Sequence, residues 1–179
     1  MGRADAPPIN ALVLVDIAPR MEEAGVERIV SFMRARPDGF ASLEEAAQHI
    51  AAYRGRPMEG PVEGLKKNLN LNAQGRWVWH WDPQLMSEAN HNHRRDSDGY
   101  ERALRGLQAP TLLLRGQRSD VISEEDARAL VQTMPLARFI DLKGAGHMIA
   151  GDANDAFAAS VADFLPEVMP PAQSPAGGS

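Results

Sequence analysis

His147, in the run LKGAGHMIAGD (142–152), is the residue of this 179-residue chain best placed to move protons. It follows an apolar, strand-like run and the glycines Gly144 and Gly146, and it precedes a segment with helical spacing. That position is the C-terminal end of a strand, where open α/β sheets gather their ligands. An imidazole there is expected to serve as a general base. Asp120, in LLLRGQRSDVIS, stands just past the preceding strand-like run. A carboxylate there would sit beside a histidine leaving the neighbouring strand, accept its Nδ1–H, fix the tautomer and stabilise the imidazolium. As a plain turn residue it would instead help start the helix at Ser123. Asp16 closes an earlier apolar run, so its position makes it a substitute acid. Its expected role is a hydrogen bond to nearby loop backbone.

Two further clusters invite a chemical reading. In WVWHW (77–81) a strand would place Trp77, Trp79 and Trp81 on one face and His80 on the other. Those side chains are candidates for an apolar wall of a substrate pocket, with a small core as the plainer role for most of the tryptophans. His91 and His93, near Asp96 and Asp98, have a metal-like look, but i, i+2 spacing on a polar loop supplies too few fixed ligands. No metal and no cofactor are expected. The sequence has no glycine-rich nucleotide fingerprint, no phosphate-binding loop and no basic aromatic patch. The net charge of −5 argues against nucleic acid or an anionic membrane surface as partner. The absence of cysteine excludes disulfides and cysteine-based zinc sites. No apolar run approaches the roughly 18 residues of a membrane span, and MGRADAPPIN lacks a signal-peptide core. A cytoplasmic protein acting on a small molecule is the expectation.

The elements that must position these residues follow from hydrophobic patterning. INALVLVDIAP (9–19) and APTLLLRG (109–116) are nearly continuous aliphatic runs, as suits strands buried on both faces of a parallel sheet. ARFIDLKGAG (137–146) is a third. Between the last two, SEEDARALVQTMP reads as a helix with Ser123 and Asp126 as its capping pair, giving a strand–helix–strand crossover. Phe157, Val161, Phe164 and Leu165 mark a terminal helix. The first two strands lie about 90 residues apart, far beyond an ordinary crossover. The intervening residues read as two amphipathic helices, the second capped by Ser42 and Glu45, then a linker at 55–64, a hairpin across 68–83 and a helix near 100–107. The fold class is α/β, with core portions at 9–19 and 108–165, a mostly helical cap inserted at 20–107, and a Pro/Gly/Ser-rich tail at 166–179 expected to be disordered.

VLVDIAP, a helical insert, PTLLLRGQRSDVIS, and GAGHM before a terminal helix together resemble the C-terminal part of an α/β-hydrolase, over about 9–165. In that superfamily a strand-ending aspartate and a late histidine complete a triad, in the chain order nucleophile, acid, histidine. The resemblance implies that Asp120 is the acid and His147 the base. It also implies a cap between VDIAP and the acid turn, and no cofactor. The family's nucleophile stands on a G-x-S-x-G turn upstream of the run matched by VLVDIAP. None of the nine serines here lies in such a turn, and Ser119 belongs to the acid turn.

The resemblance therefore implies a hydrolase of small esters or related bonds, of which this chain carries the aspartate and the histidine, the nucleophile being serine or aspartate. The chain alone is expected to be inactive, as a truncated form. The alternative is a non-catalytic fragment or half-enzyme that works by association with a nucleophile-bearing partner. The strand at 9–17 is the expected surface for that, since without its usual neighbour it exposes an apolar edge.

Overall fold

The computed structural model describes residues 8–86 and 96–169. Two compact units make up the chain, one from residues up to 26 and from 96 onward, the other from 27 to 95. The second unit is narrower than the expected insertion at 20–107, because Arg20 to Val26 and the helix after Asp96 belong with the sheet.

In the first unit three parallel strands lie in the order β1 (Leu12–Val15), β4 (Thr111–Gly116), β5 (Ala137–Leu142). The register pairs Leu12 with Thr111 and Val15 with Leu114 on one side, and Thr111 with Ala137 and Gly116 with Leu142 on the other. Every residue of β4 is buried, while β1 and β5 are only partly so. The continuous aliphatic run of 111–114 is what a central strand covered on both faces requires.

Alternation along the strand assigns the faces. Leu112 and Leu114 point into a core with Leu142, Ala145, Ile149 and Phe164, joined by Val13, Ile140, Phe157 and Val161. The terminal helix α6 (Asn154–Val168) supplies its phenylalanines to that face. Leu113 and Arg115 point the other way, together with Phe139, the register partner of Leu113. There the guanidinium of Arg128 lies 5.2 Å from the Phe139 ring centroid, so α4 (Glu124–Gln132) covers the opposite face. Ser123 starts α4 by accepting the Asp126 amide at 3.0 Å and donating to its carboxylate at 2.6 Å. A short turn of helix, α5 (Ile149–Asp152), precedes α6. Helix α6 runs through Pro166 to Val168, so the first residues of the expected tail are helical; 170–179 lie outside the described residues.

The second unit holds most of α1 (Glu23–Arg34), α2 (Leu43–Arg54) and a hairpin of β2 (Leu69–Leu71) and β3 (Trp77–Trp79). Ser42 caps α2 through the Glu45 amide, and the Glu45 carboxylate returns a bond to the Ala41 amide. The hairpin turn is closed by Asn72, whose side-chain oxygen accepts from Gln74 and Arg76, and Gly75 supplies a φ of 73°. Phe40, Leu43, Ala46, Leu65 and Leu69 form its core. Helix α3 (Ser97–Arg105) belongs to the first unit and starts earlier than its apolar residues imply, because Asp96 caps it through the Gly99 amide.

Leu114 is fully buried whereas Leu165 is 36% exposed. Leu114→Ala is expected to cost about 3 kcal/mol or more in denaturant unfolding, through lost transfer energy and a cavity. Leu165→Ala should cost less than about 1 kcal/mol.

Candidate active site

The site begins with the backbone at the end of β1. Asp16 has a φ of 49°, the left-handed region that aspartate enters more readily than most side chains. Its amide is held by the Leu114 carbonyl at 2.7 Å. Its carboxylate is buried, with the residue 1% exposed. Burial of a charged group demands hydrogen bonds, and Asp16 has three. Oδ1 accepts the Gly116 amide at 3.0 Å. Oδ2 accepts the Ser119 hydroxyl at 2.5 Å and faces His147 Nδ1 at 2.8 Å.

Strand order explains why this aspartate reaches the histidine. β4 lies between β1 and β5, so a side chain leaving β1 must cross the end of β4 to meet the loop after β5. That end is Gly116. A Cβ there would stand 2.2 Å from the Gly146 carbonyl oxygen and 2.8 Å from that of Ala145. Only glycine leaves room for the two loops to lie so close. They are then knitted together: the Gln117 amide donates to Leu142, the Arg118 amide to Ala145, and the Arg118 guanidinium to the Gly144 carbonyl. Gly144 turns the chain with a φ of 74°. Beneath them, the buried Arg115 donates to the Ile122 carbonyl at 2.7 Å and pairs with Asp141 at 2.9 Å, tying the 117–123 loop to β4 and β5.

As a carboxylate Asp16 only accepts, so the proton between it and His147 belongs to Nδ1. The lone pair is then on Nε2, and the His147 side chain is about one-third exposed, at 32%. This is the tautomer a general base requires, with a negative charge placed to stabilise the imidazolium that forms.

The sequence-derived acid, Asp120, follows Ser119 in the same loop. His147 Nδ1 donates to Asp16. Asp120's backbone is a packing surface for the start of α1: a Cβ on Gly25 would be 1.8 Å from its carbonyl oxygen, and Glu22 donates to the Val121 carbonyl. Asp16 combines the backbone bond expected of it with the bond to the imidazole. No local pattern marks Ser119 or Gly116 as a site residue. Their role depends on β1 lying next to β4, which no local pattern states.

The remaining candidates lie in the second unit. Trp79 meets Phe40 edge-on at 5.5 Å and stacks on Trp81 at 4.4 Å, while Trp77 packs beside the Phe40 core under Lys66. His80 is exposed. His91 and His93 lie outside the described residues. Among those described, no three His, Asp or Glu residues are placed to hold a metal ion, and no helix is long and apolar enough to cross a membrane.

No family model matches the chain. Solved structures do. It superposes on E-2-(acetamidomethylene)succinate hydrolase with a TM-score of 0.72 at 16% identity, over 88% of this chain and 57% of that one. An esterase of Mycobacterium tuberculosis gives 0.63 at 22% identity, over 88% and 54%. The thioesterase domain from the curacin biosynthetic pathway gives 0.62 at 22%, over 87% and 58%. The fold is the C-terminal part of an α/β-hydrolase. Among curated proteins, the 3-hydroxybutyrate-oligomer hydrolase of Cupriavidus necator is 28% identical over 160 residues, 82% of this chain and 54% of that protein. The chain thus spans little more than half the length of the α/β-hydrolases and of the curated relative it matches.

Gly116→Ala is expected to force the two loops after β4 and β5 apart, lowering stability by about 2 kcal/mol or more and shifting the amide resonances of 144–148. Gly64→Ala, whose Cβ would meet nothing within 4 Å, should stay within about 0.5 kcal/mol of the unaltered chain.

Proposed function

We propose that this chain supplies the acid and base of an α/β-hydrolase centre that cleaves small esters, with Asp16 as the acid and His147 as the base. The observation that carries this reading is the 2.8 Å contact of His147 Nδ1 with a buried, triply bonded carboxylate at the ends of parallel strands. In the reaction His147 Nε2 removes the proton of a nucleophile as it attacks the ester carbonyl. The imidazolium then gives that proton to the leaving alcohol; Nε2 next takes a proton from water, which attacks the acylated nucleophile, and returns it to the nucleophile as the acid leaves. Asp16 stays ionised throughout. The likeness to a 3-hydroxybutyrate-oligomer hydrolase makes short hydroxyalkanoate esters the first substrates to try.

The nucleophile is proposed to reach Nε2 from polypeptide paired in parallel with the outer edge of β1. Among the described residues β1 has a strand neighbour on one side only, and Ile9, Val15 and Ile17 are exposed around it. A purely associative role is the second reading, favoured by the lack of a G-x-S-x-G turn in this sequence.

Loss of a triad nucleophile typically removes about 10³–10⁶ of the rate. The purified 179-residue chain should therefore hydrolyse p-nitrophenyl butyrate no faster than about tenfold above an equal concentration of free imidazole, on the same scale. A polypeptide or complex that also carries the nucleophile should turn it over, and lose about 10³-fold or more with His147→Ala. Robust turnover by the chain alone, abolished by His147→Ala, would overturn the need for an outside nucleophile. No loss with His147→Ala in the complete assembly would overturn the assignment of the base.

A further inference from the structure

Resting on that reading of Asp16 and His147, we propose that Ser119 is a positioning residue that acts on His147 through Asp16, setting how strongly the imidazole holds its proton. The two oxygens of the Asp16 carboxylate are loaded unequally. Oδ1 takes one donor, the Gly116 amide. Oδ2 takes two, the Ser119 hydroxyl at 2.5 Å and His147 Nδ1 at 2.8 Å. The direction of the serine proton is fixed by the serine's other bond. Ser119 Oγ accepts the Val121 amide at 3.1 Å, so its single proton is free to point at Asp16. The Ser119 amide is anchored to the Gly116 carbonyl at 2.8 Å, which holds the hydroxyl in place. A short bond of this kind to an ionised oxygen is among the strong ones.

The consequence is electrostatic. A hydroxyl bonded to Oδ2 draws charge from the oxygen that faces the imidazole. Asp16 is then a weaker anchor for imidazolium than it would be without Ser119. That suits a group which must take a proton and then return it. Removing the hydroxyl concentrates charge on Oδ2 and stabilises the protonated ring, so the His147 pKa should rise. The charged groups carried by the two loops are Arg118, Asp120 and Lys143, and Glu22, before α1, donates its amide to the Val121 carbonyl of the first loop. All the variants compared retain them.

The test is titration of the His147 ring by NMR in the full chain. Ser119→Ala should raise its pKa by about 0.5 unit or more, and Ser119→Thr, which keeps the donor, should restore the original value. In the Asp16→Asn background, Ser119→Ala should produce no such rise. A purely structural Ser119 would lower stability and leave the titration where it was. An unchanged or lowered pKa in folded Ser119→Ala overturns the proposal. If that variant does not fold, Ser119→Cys, with its weak donor, takes its place and should shift the titration upward in the same sense; no rise there overturns it too. Failure of the underlying reading looks different: Asp16→Asn alone would leave the His147 titration unmoved.

Discussion

A buried carboxylate is the constraint on which the site depends. Asp16 lies almost wholly out of water, and an ionised group there is tolerable only with its lone pairs occupied. Its three donors come from three places in the chain: the end of β4, the loop beyond it, and the loop after β5. Satisfying one charge thus fixes the mutual placement of three segments far apart in sequence. Gly116 makes this possible by having no side chain where the loops converge, and the left-handed turn at Asp16 aims the carboxylate across that gap. The Arg115–Asp141 pair steadies the platform from below.

The three strands, the capped helices and the hairpin were legible in the sequence, because each follows from local rules. Continuous aliphatic runs marked the strands, of which only β4 is buried throughout, Ser42 and Ser123 marked helix starts, and Asn72 to Gly75 marked a turn. His147 was legible for the same reason, as a polar residue just after two glycines at the end of a strand. Its contact with Asp16 was not. Both Asp16 and Asp120 stand just beyond apolar runs, and nearness along the chain, with the family pattern, favours Asp120. The Asp16 contact rests on a tertiary fact: β4 separates β1 from β5, and its last residue is a glycine that a carboxylate from β1 can cross. Ser119 escaped notice because its function is defined only relative to Asp16, roughly a hundred residues earlier.

The tryptophan run shows the converse. Alternation placed Trp77 and Trp79 correctly on one strand, yet their surroundings are those of a small aromatic core. Trp79 meets Phe40 edge-on and Trp81 face to face, and His80, just past the strand, is exposed.

If Asp16 orients His147, proton-coupled ¹⁵N NMR of the histidine rings will show it, by reading which ring nitrogen carries the proton and how that proton is bonded. Expected is a neutral His147 protonated at Nδ1, with a strongly deshielded proton that disappears in Asp16→Asn and persists in Asp120→Asn. Loss of that signal in Asp120→Asn, with Asp16→Asn unaffected, would contradict it.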